Sequence, residues 1–345
     1  MAAKILRVRN VGDTEWHTLP GNDASFDTNH DELDDTLFGQ RFSSSETGLT
    51  EWSMSSNALY RGFAGYVATI RKAQDSTAFN GEELSQVGDT QKYRIDDATK
   101  SVWDWNVDVV VYEDGVEVDD ADIDYIDYIH GQVVFDENFT VTGSITADGA
   151  FLTLENFGKA QTFEIGQSAD TTDTTDLQTA QDNGGFMTMR PTLLTAEMSM
   201  EAFYDVDNDF DDLFLGRDTF VLEINPDGND ESFARGIFKV NEDSLSGDVG
   251  GDEDESVSFV LSVPNNVTRP FGWEHSENTT LSQAVRIVLD AWENRNELEA
   301  QYLPDGSVGR EGNVIVDDVS LSGGVSEMNE FDVSLPGTGP WTKVV

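Results

Sequence analysis

From Thr192 to Ala202 the chain alternates. Leu194, Ala196, Met198, Met200 and Ala202 are separated by Thr195, Glu197, Ser199 and Glu201. A period of two gives a strand one apolar face and one polar face. Val257, Phe259, Leu261 and Val263 alternate with Ser256, Ser258 and Ser262 in the same way. The stretch from Pro191 to Val263 therefore predicts a sheet with two sharply different sides, and no residue on its polar side is a signature of bond-making chemistry.

The rest of the chain is read outward from that sheet. Residues 1–50 open with one strand-like run, Ile5 to Val11, and continue as a polar, turn-rich passage through DTNHDELDD. That passage predicts an extended arm or loop, with Leu33, Leu37, Phe38 and Phe42 as its anchors. These either patch the chain's own core or order on a neighbouring subunit. Residues 51–165 predict a first β-rich lobe. Within it, a meander at 105–150 is punctuated by Glu113-Asp114-Gly115 and His130-Gly131, and it is either an outer insertion or part of a barrel. Residues 166–190 predict a long polar loop whose tip, Phe186, Met187 and Met189, is apolar. An apolar tip of this kind is expected to meet a partner, the alternative being that it tucks onto its own sheet. Residues 191–345 predict a second β-rich lobe with one helix at about 280–293, capped by Thr280 and carrying Leu281, Ala284, Val285, Val288 and Trp292 on one face. The expected fold is mainly β: a sandwich or barrel with one packed helix and long loops.

Charge changes this picture more than length does. The 345 residues hold 67 Asp and Glu against 20 Lys and Arg, a formal charge of −47. With 38% hydrophobic residues and 20 Phe, the composition fits a folded protein rather than a disordered acidic one. It suits molar salt, where the Debye length falls to about 3 Å and neighbouring carboxylates repel weakly. With no cysteine, disulfides and thiolate sites are excluded. The opening MAAKILRVRNVGDTEW has basic residues but no apolar run after them, so no signal peptide is expected. No segment approaches the ~20 apolar residues of a membrane span.

Candidate chemistry is sparse, and an enzymatic role is not expected. His17, His30, His130 and His275 stand far apart without metal-ligand spacing, and His130 is read as a hairpin residue. Asp205, Asp207, Asp209 and Asp211 are spaced like a calcium loop. Phe210 occupies the position that needs glycine, and the closing acid is missing. A solvated turn is the expectation there, with no metal and no cofactor. Arg61, Arg71 and Lys72 are the densest basic group and lie among acids, which opposes tight phosphate binding.

Several runs do resemble a known family. FARGIFKV from Phe233, SLSG from Ser244, ESVSF from Glu255, FDVSLPGTG from Phe331 and TLLTAEMSMEAFYD from Thr192 resemble the major tail tube proteins of long-tailed phages and archaeal tailed viruses. The likeness covers about 190–345, is looser over 50–165 and is absent from the first fifty residues. It implies hexameric rings that stack head to tail, with an inter-subunit β-barrel around a lumen through which genome DNA passes. With the acidic composition, it implies a siphovirus-like haloarchaeal virus, the protein residing in the virion tail after assembly in the host cytoplasm. The implied partners are further copies of the chain and the tape measure, terminator and distal tail proteins, with transient passage of DNA and no membrane. Thr195, Glu197, Ser199, Glu201, Ser256 and Ser258 are then expected to face the lumen, with Leu194, Met198 and Met200 packing outward against the helix. Leu37, Phe38, Phe42, Phe186, Met187 and Met189 are expected between rings. Rival readings are another β-rich virion protein such as a baseplate hub or decoration protein, a surface-layer module, and a carbohydrate-binding or hydrolase domain.

Overall fold

Alternating sequences pair into strands wherever a neighbour can complete the backbone hydrogen bonds. The computed structural model describes residues 4–21, 23–35, 45–59, 68–88, 90–157, 160–203, 210–228, 232–247, 253–275, 279, 281–326 and 328–345. These residues form a mainly β fold of large antiparallel sheets with few helices. The chain divides into two units that interleave along the sequence. The first comprises Met1–Tyr66, Glu164–Ala196 and Asn278–Val345, and the second Val67–Phe163 and Glu197–Glu277. The predicted lobe 191–345 is thus shared between them, because long-range pairing, invisible to local pattern, sets the division.

In the first unit, a five-stranded sheet runs in the order His17–Thr18, Ile5–Asn10, Leu298–Leu303, Gly309–Val314, Thr342–Val344. The helix Gln283–Asn294 packs on the strands Ile5–Asn10 and His17–Thr18. Its cap is Ser282, whose hydroxyl accepts from the Val285 N–H at 3.4 Å. The predicted cap, Thr280, lies outside the described residues. Arg295 ends the helix in the left-handed region, at φ 55°, and Ala284, Val285, Ile287, Val288, Leu289, Ala291 and Trp292 are buried.

A second ladder of this unit joins Asp23–Asp34, Ser45–Leu59, Glu330–Pro336 and Asp318–Gly324. The acidic run expected as a loop is therefore a strand. DTNHDELD pairs residue for residue with Ser45–Ser53 apart from one bulge, so backbone pairing overrides a composition poor in β-formers. The predicted loop 166–190 is also mostly regular. The strand Ala160–Asp173 runs well into it, and Leu177–Asp182 is a short helix capped by Asp176.

Trp52 is the hub of this ladder. Its indole N–H donates to the Gly339 carbonyl at 2.7 Å, and its backbone carbonyl accepts from the Gly337 N–H at 2.7 Å. A Cβ placed on Gly337 would lie 2.0 Å from the Trp52 ring, so only glycine fits that approach. Phe26 sits 5.7 Å from both Trp52 and Trp341, ring to ring, and stacks on Tyr302 at 6.4 Å.

In the second unit, the sheet runs Val110–Glu113, Ile145–Asn156, Thr69–Gln86, Phe220–Asn225, Ser232–Gly247, Glu253–Leu261 and the 197–203 part of Met189–Phe203. The far end of Thr69–Gln86 carries Lys92–Ile95, Gln132–Phe135 and Ile123–Asp127. The meander 105–150 is thus continuous with this sheet and shares its core, built around Phe79, Trp103, Val111, Ile129, Phe135 and Ile145. Its turns match expectation. Asp114 and Gly115 both have positive φ, 49° and 79°, closing a two-residue hairpin.

Candidate assembly surface

The alternation that organises the sequence organises the second unit's surface. Three strands lie side by side, 197–203, Glu253–Leu261 and the 238–247 part of Ser232–Gly247. Residues directly opposite one another share a face. Glu201 is opposite Ser256 and Ser256 opposite Ser244, while Ser199 is opposite Ser258 and Ser258 opposite Glu242. Glu197, Val260 and Lys239 form the next row, and Phe203, Asp254 and Ser246 the last. Every residue of this face is exposed or half-buried.

On the reverse face, Met198, Met200, Ala202, Val257 and Phe259 are buried. Phe259 is 5.2 Å from Phe210 and 5.8 Å from Phe220, ring to ring. Met198 and Met200 stand opposite Phe259 and Val257 in this core. The helix, in the first unit, packs on Ile5–Asn10 and His17–Thr18. Glu255 falls on the apolar face by parity and is 1% exposed, where its carboxylate accepts from the Phe210 N–H at 3.3 Å.

The open face therefore carries hydroxyls, four carboxylates (Glu197, Glu201, Glu242 and Asp254), one ammonium, Lys239, and two apolar side chains, Val260 and Phe203. Of the predicted lumen set, Glu197, Ser199, Glu201, Ser256 and Ser258 are brought together here. Thr195 is exposed on the same strand, in the segment assigned to the first unit, where Leu194 is half-buried.

The predicted inter-ring residues fall differently. Leu37, Phe38 and Phe42 lie outside the described residues. Phe186, Met187 and Met189 are half-buried against their own unit. Phe186 bridges to Thr50, the Met187 N–H donates to the Thr50 carbonyl at 2.9 Å, and the Met187 carbonyl accepts from Gly339 at 2.8 Å. The tip is tucked onto its own sheet. The hairpin it touches projects further: from Asn29 to Asp35 every residue is exposed. Its pairing with Ser45–Thr50 is backbone to backbone, beyond the rest of the ladder.

Further along the second unit's sheet lies a set of buried charges that periodicity does not announce. Glu223 and Arg235 are opposite one another in adjacent strands, 0% and 3% exposed. The Arg235 Nε donates to Glu223 at 2.8 Å, and Arg71 donates to the other Glu223 oxygen at 3.1 Å. Arg235 also donates to the Ile129 carbonyl at 2.5 Å, and its guanidinium lies 4.4 Å from the Phe233 ring centre. That bond fixes the turn holding His130 and Gly131. There the His130 Nδ1 is 3.0 Å from the Asp127 carboxylate. Burial pushes the Asp127 carboxyl up. The charge and hydrogen bond of His130, the charge of Arg269 and the His130 N–H outweigh burial and hold it below its ordinary value.

Among the described residues, no group of three or more His, Asp or Glu side chains is placed to hold a metal ion. None of their helices is long and apolar enough to cross a membrane. Asp205, Asp207 and Asp209 lie outside the described residues. No protein-family model matches the chain, and no curated protein matches it.

Proposed function

We propose that the chain is a structural subunit of a viral tail tube, assembling with copies of itself into stacked rings around a channel for DNA. The observation that carries this reading is the open face of the second unit. Three paired strands present rows of hydroxyl and carboxylate groups on one side and a closed apolar core on the other. A lumen for a sliding polyanion needs hydroxyls that bind weakly and carboxylates that do not bind phosphate at all. Duplex-holding surfaces are built from uncompensated cations instead, and this face offers Lys239 alone among four acids. In molar salt the repulsion reaches only about 3 Å, enough to stop phosphates settling on the wall without opposing their passage. Backbone pairing between copies would remove the sheet edges in a closed inter-subunit barrel. The exposed ribbon 29–35 with its partner strand supplies reach toward a neighbouring copy.

The test is assembly. The purified chain in molar KCl should form hollow tubes under negative-stain microscopy; particles that stay monomeric at every salt and protein concentration would refute the reading. Because the chain has no cysteine, single variants Ser199→Cys and Ser258→Cys report the face directly. Both thiols should react with a bulky polymer maleimide in the free subunit and be protected in tubes. Equal labelling in tubes would place that face outside.

A further inference from the structure

The first unit holds a cavity unrelated to the open sheet face, with a volume of about 290 Å³. Its floor is a polar row set by strand register: Arg9 is opposite Glu299 and Glu299 opposite Asn313, with Gln301 opposite Glu311 one step along the same face. Each acid is held in place. Arg9 pairs with Glu299, and Glu311 accepts from the Gln301 carboxamide at 3.1 Å and from the Thr342 hydroxyl at 3.4 Å. Trp16 closes one side, with the Arg9 guanidinium 4.2 Å from its ring centre.

This lining discriminates by elimination. Two carboxylates against one guanidinium repel an anion. An apolar guest would strip water from Glu311 and return no hydrogen bond. A cation would meet Arg9, already seated over the Trp16 ring, which is where an aromatic side chain attracts positive charge. A neutral guest bearing several hydroxyls satisfies the polar groups: its O–H groups donate to Glu299 and Glu311, its oxygens accept from Asn313, and Trp16 bounds it on one side. The volume is at the small end for ligand sites and admits one sugar ring. We propose that this cavity binds a neutral polyhydroxylated ligand, one monosaccharide unit in size. The site goes beyond the tube reading and does not depend on it.

The experiment is a titration of the full chain in molar KCl with glucose, galactose, mannose and N-acetylglucosamine, followed by calorimetry and saturation-transfer NMR. At least one sugar should bind saturably in the millimolar range, as weak single-ring sites do. Binding should fall about tenfold or more, roughly the value of one lost charge-assisted hydrogen bond, in Glu311→Gln and again in Trp16→Ala. The Glu311→Gln variant changes no volume, so it keeps the test informative if Trp16→Ala fails to fold. Absence of saturable binding by all four sugars would overturn the proposal. So would binding that survives both variants, or stronger binding of choline than of any sugar.

Discussion

The sheets of the two units solve the same problem by opposite means. In the first unit, the strand Ile5–Asn10 carries a helix, and the adjoining ladder is locked by ring-on-backbone packing: Trp52 against Gly337, Phe26 among Trp52, Tyr302 and Trp341. In the second, three strands keep one face open, and ions are fixed further along the same sheet, Glu223 between Arg235 and Arg71. A sheet covered by its own helix and aromatic rings is stabilised by shape. One that must leave a side uncovered has less apolar area to bury, and here it ties neighbouring segments together through buried charge. Paired buried ions contribute little net stability relative to apolar residues of similar size. Through Arg235, the pair also ties down the 127–131 turn at the Ile129 carbonyl.

That contrast can be broken most directly at Arg235. Arg235→Met leaves Glu223 buried with only Arg71, and thermal or denaturant unfolding should show a loss of about 3–5 kcal/mol. Adding Glu223→Leu should restore most of it; a double variant as unstable as the single would mean that shape, not charge, holds this strand pair. In the first unit the corresponding cut is Gly337→Ala. With its Cβ 2.0 Å from Trp52, overpacking should cost about 1–3 kcal/mol or more, with a red-shifted tryptophan emission as the ring is displaced.

A finer test uses pH. The Asp127 carboxyl is held below its ordinary value in the folded state. Its contribution is therefore fully present above about pH 4 and is lost as pH falls through the folded value. Asp127→Asn lacks that contribution at every pH, so the stability gap to the parent chain should close as pH falls into the acid range. A gap that widened in acid would reverse the sign of the coupling. Smallest of all, Glu197→Gln and Glu201→Gln should change monomer stability by less than about 0.5 kcal/mol, because their face is open to water. A large effect would mean that the face is already covered within one subunit.

Much of this was legible in the sequence, for identifiable reasons. A period of two survives in any strand with one wet face, so Glu197, Ser199, Glu201, Ser256 and Ser258 came out on the exposed side without knowledge of their neighbours. The Asp114-Gly115 hairpin was readable because its positive φ angles demand those residue types. The helix was readable from spacing, although its cap is Ser282. The strand Asp23–Asp34 was hidden because the partner backbone, and not its own acidic side chains, makes it a strand. Its pairing with Ser45–Leu59 confers what propensity does not. The tuck of Phe186 and Met187 depends on Thr50 and Gly339, far off in sequence. The Glu223–Arg235 pair had a faint signal: FVLEIN and FARGIF each carry one charge, of opposite sign, in an otherwise apolar run. Two buried strands with complementary intruders are candidates to be neighbours, a rule that could have found them.

The first unit joins segments from the two ends of the chain. The strand Ile5–Asn10 has its partner in Leu298–Leu303, with Arg9 and Glu299 290 residues apart, and Trp52 is clasped by Gly337 and Gly339. A ribosome emits about 5–20 residues each second, so the early strands wait many seconds for the segments that cover them. Until then the second unit, most of whose ladders close over shorter spans, is the part able to form. The first unit is therefore complete only once the last residues of the chain have emerged.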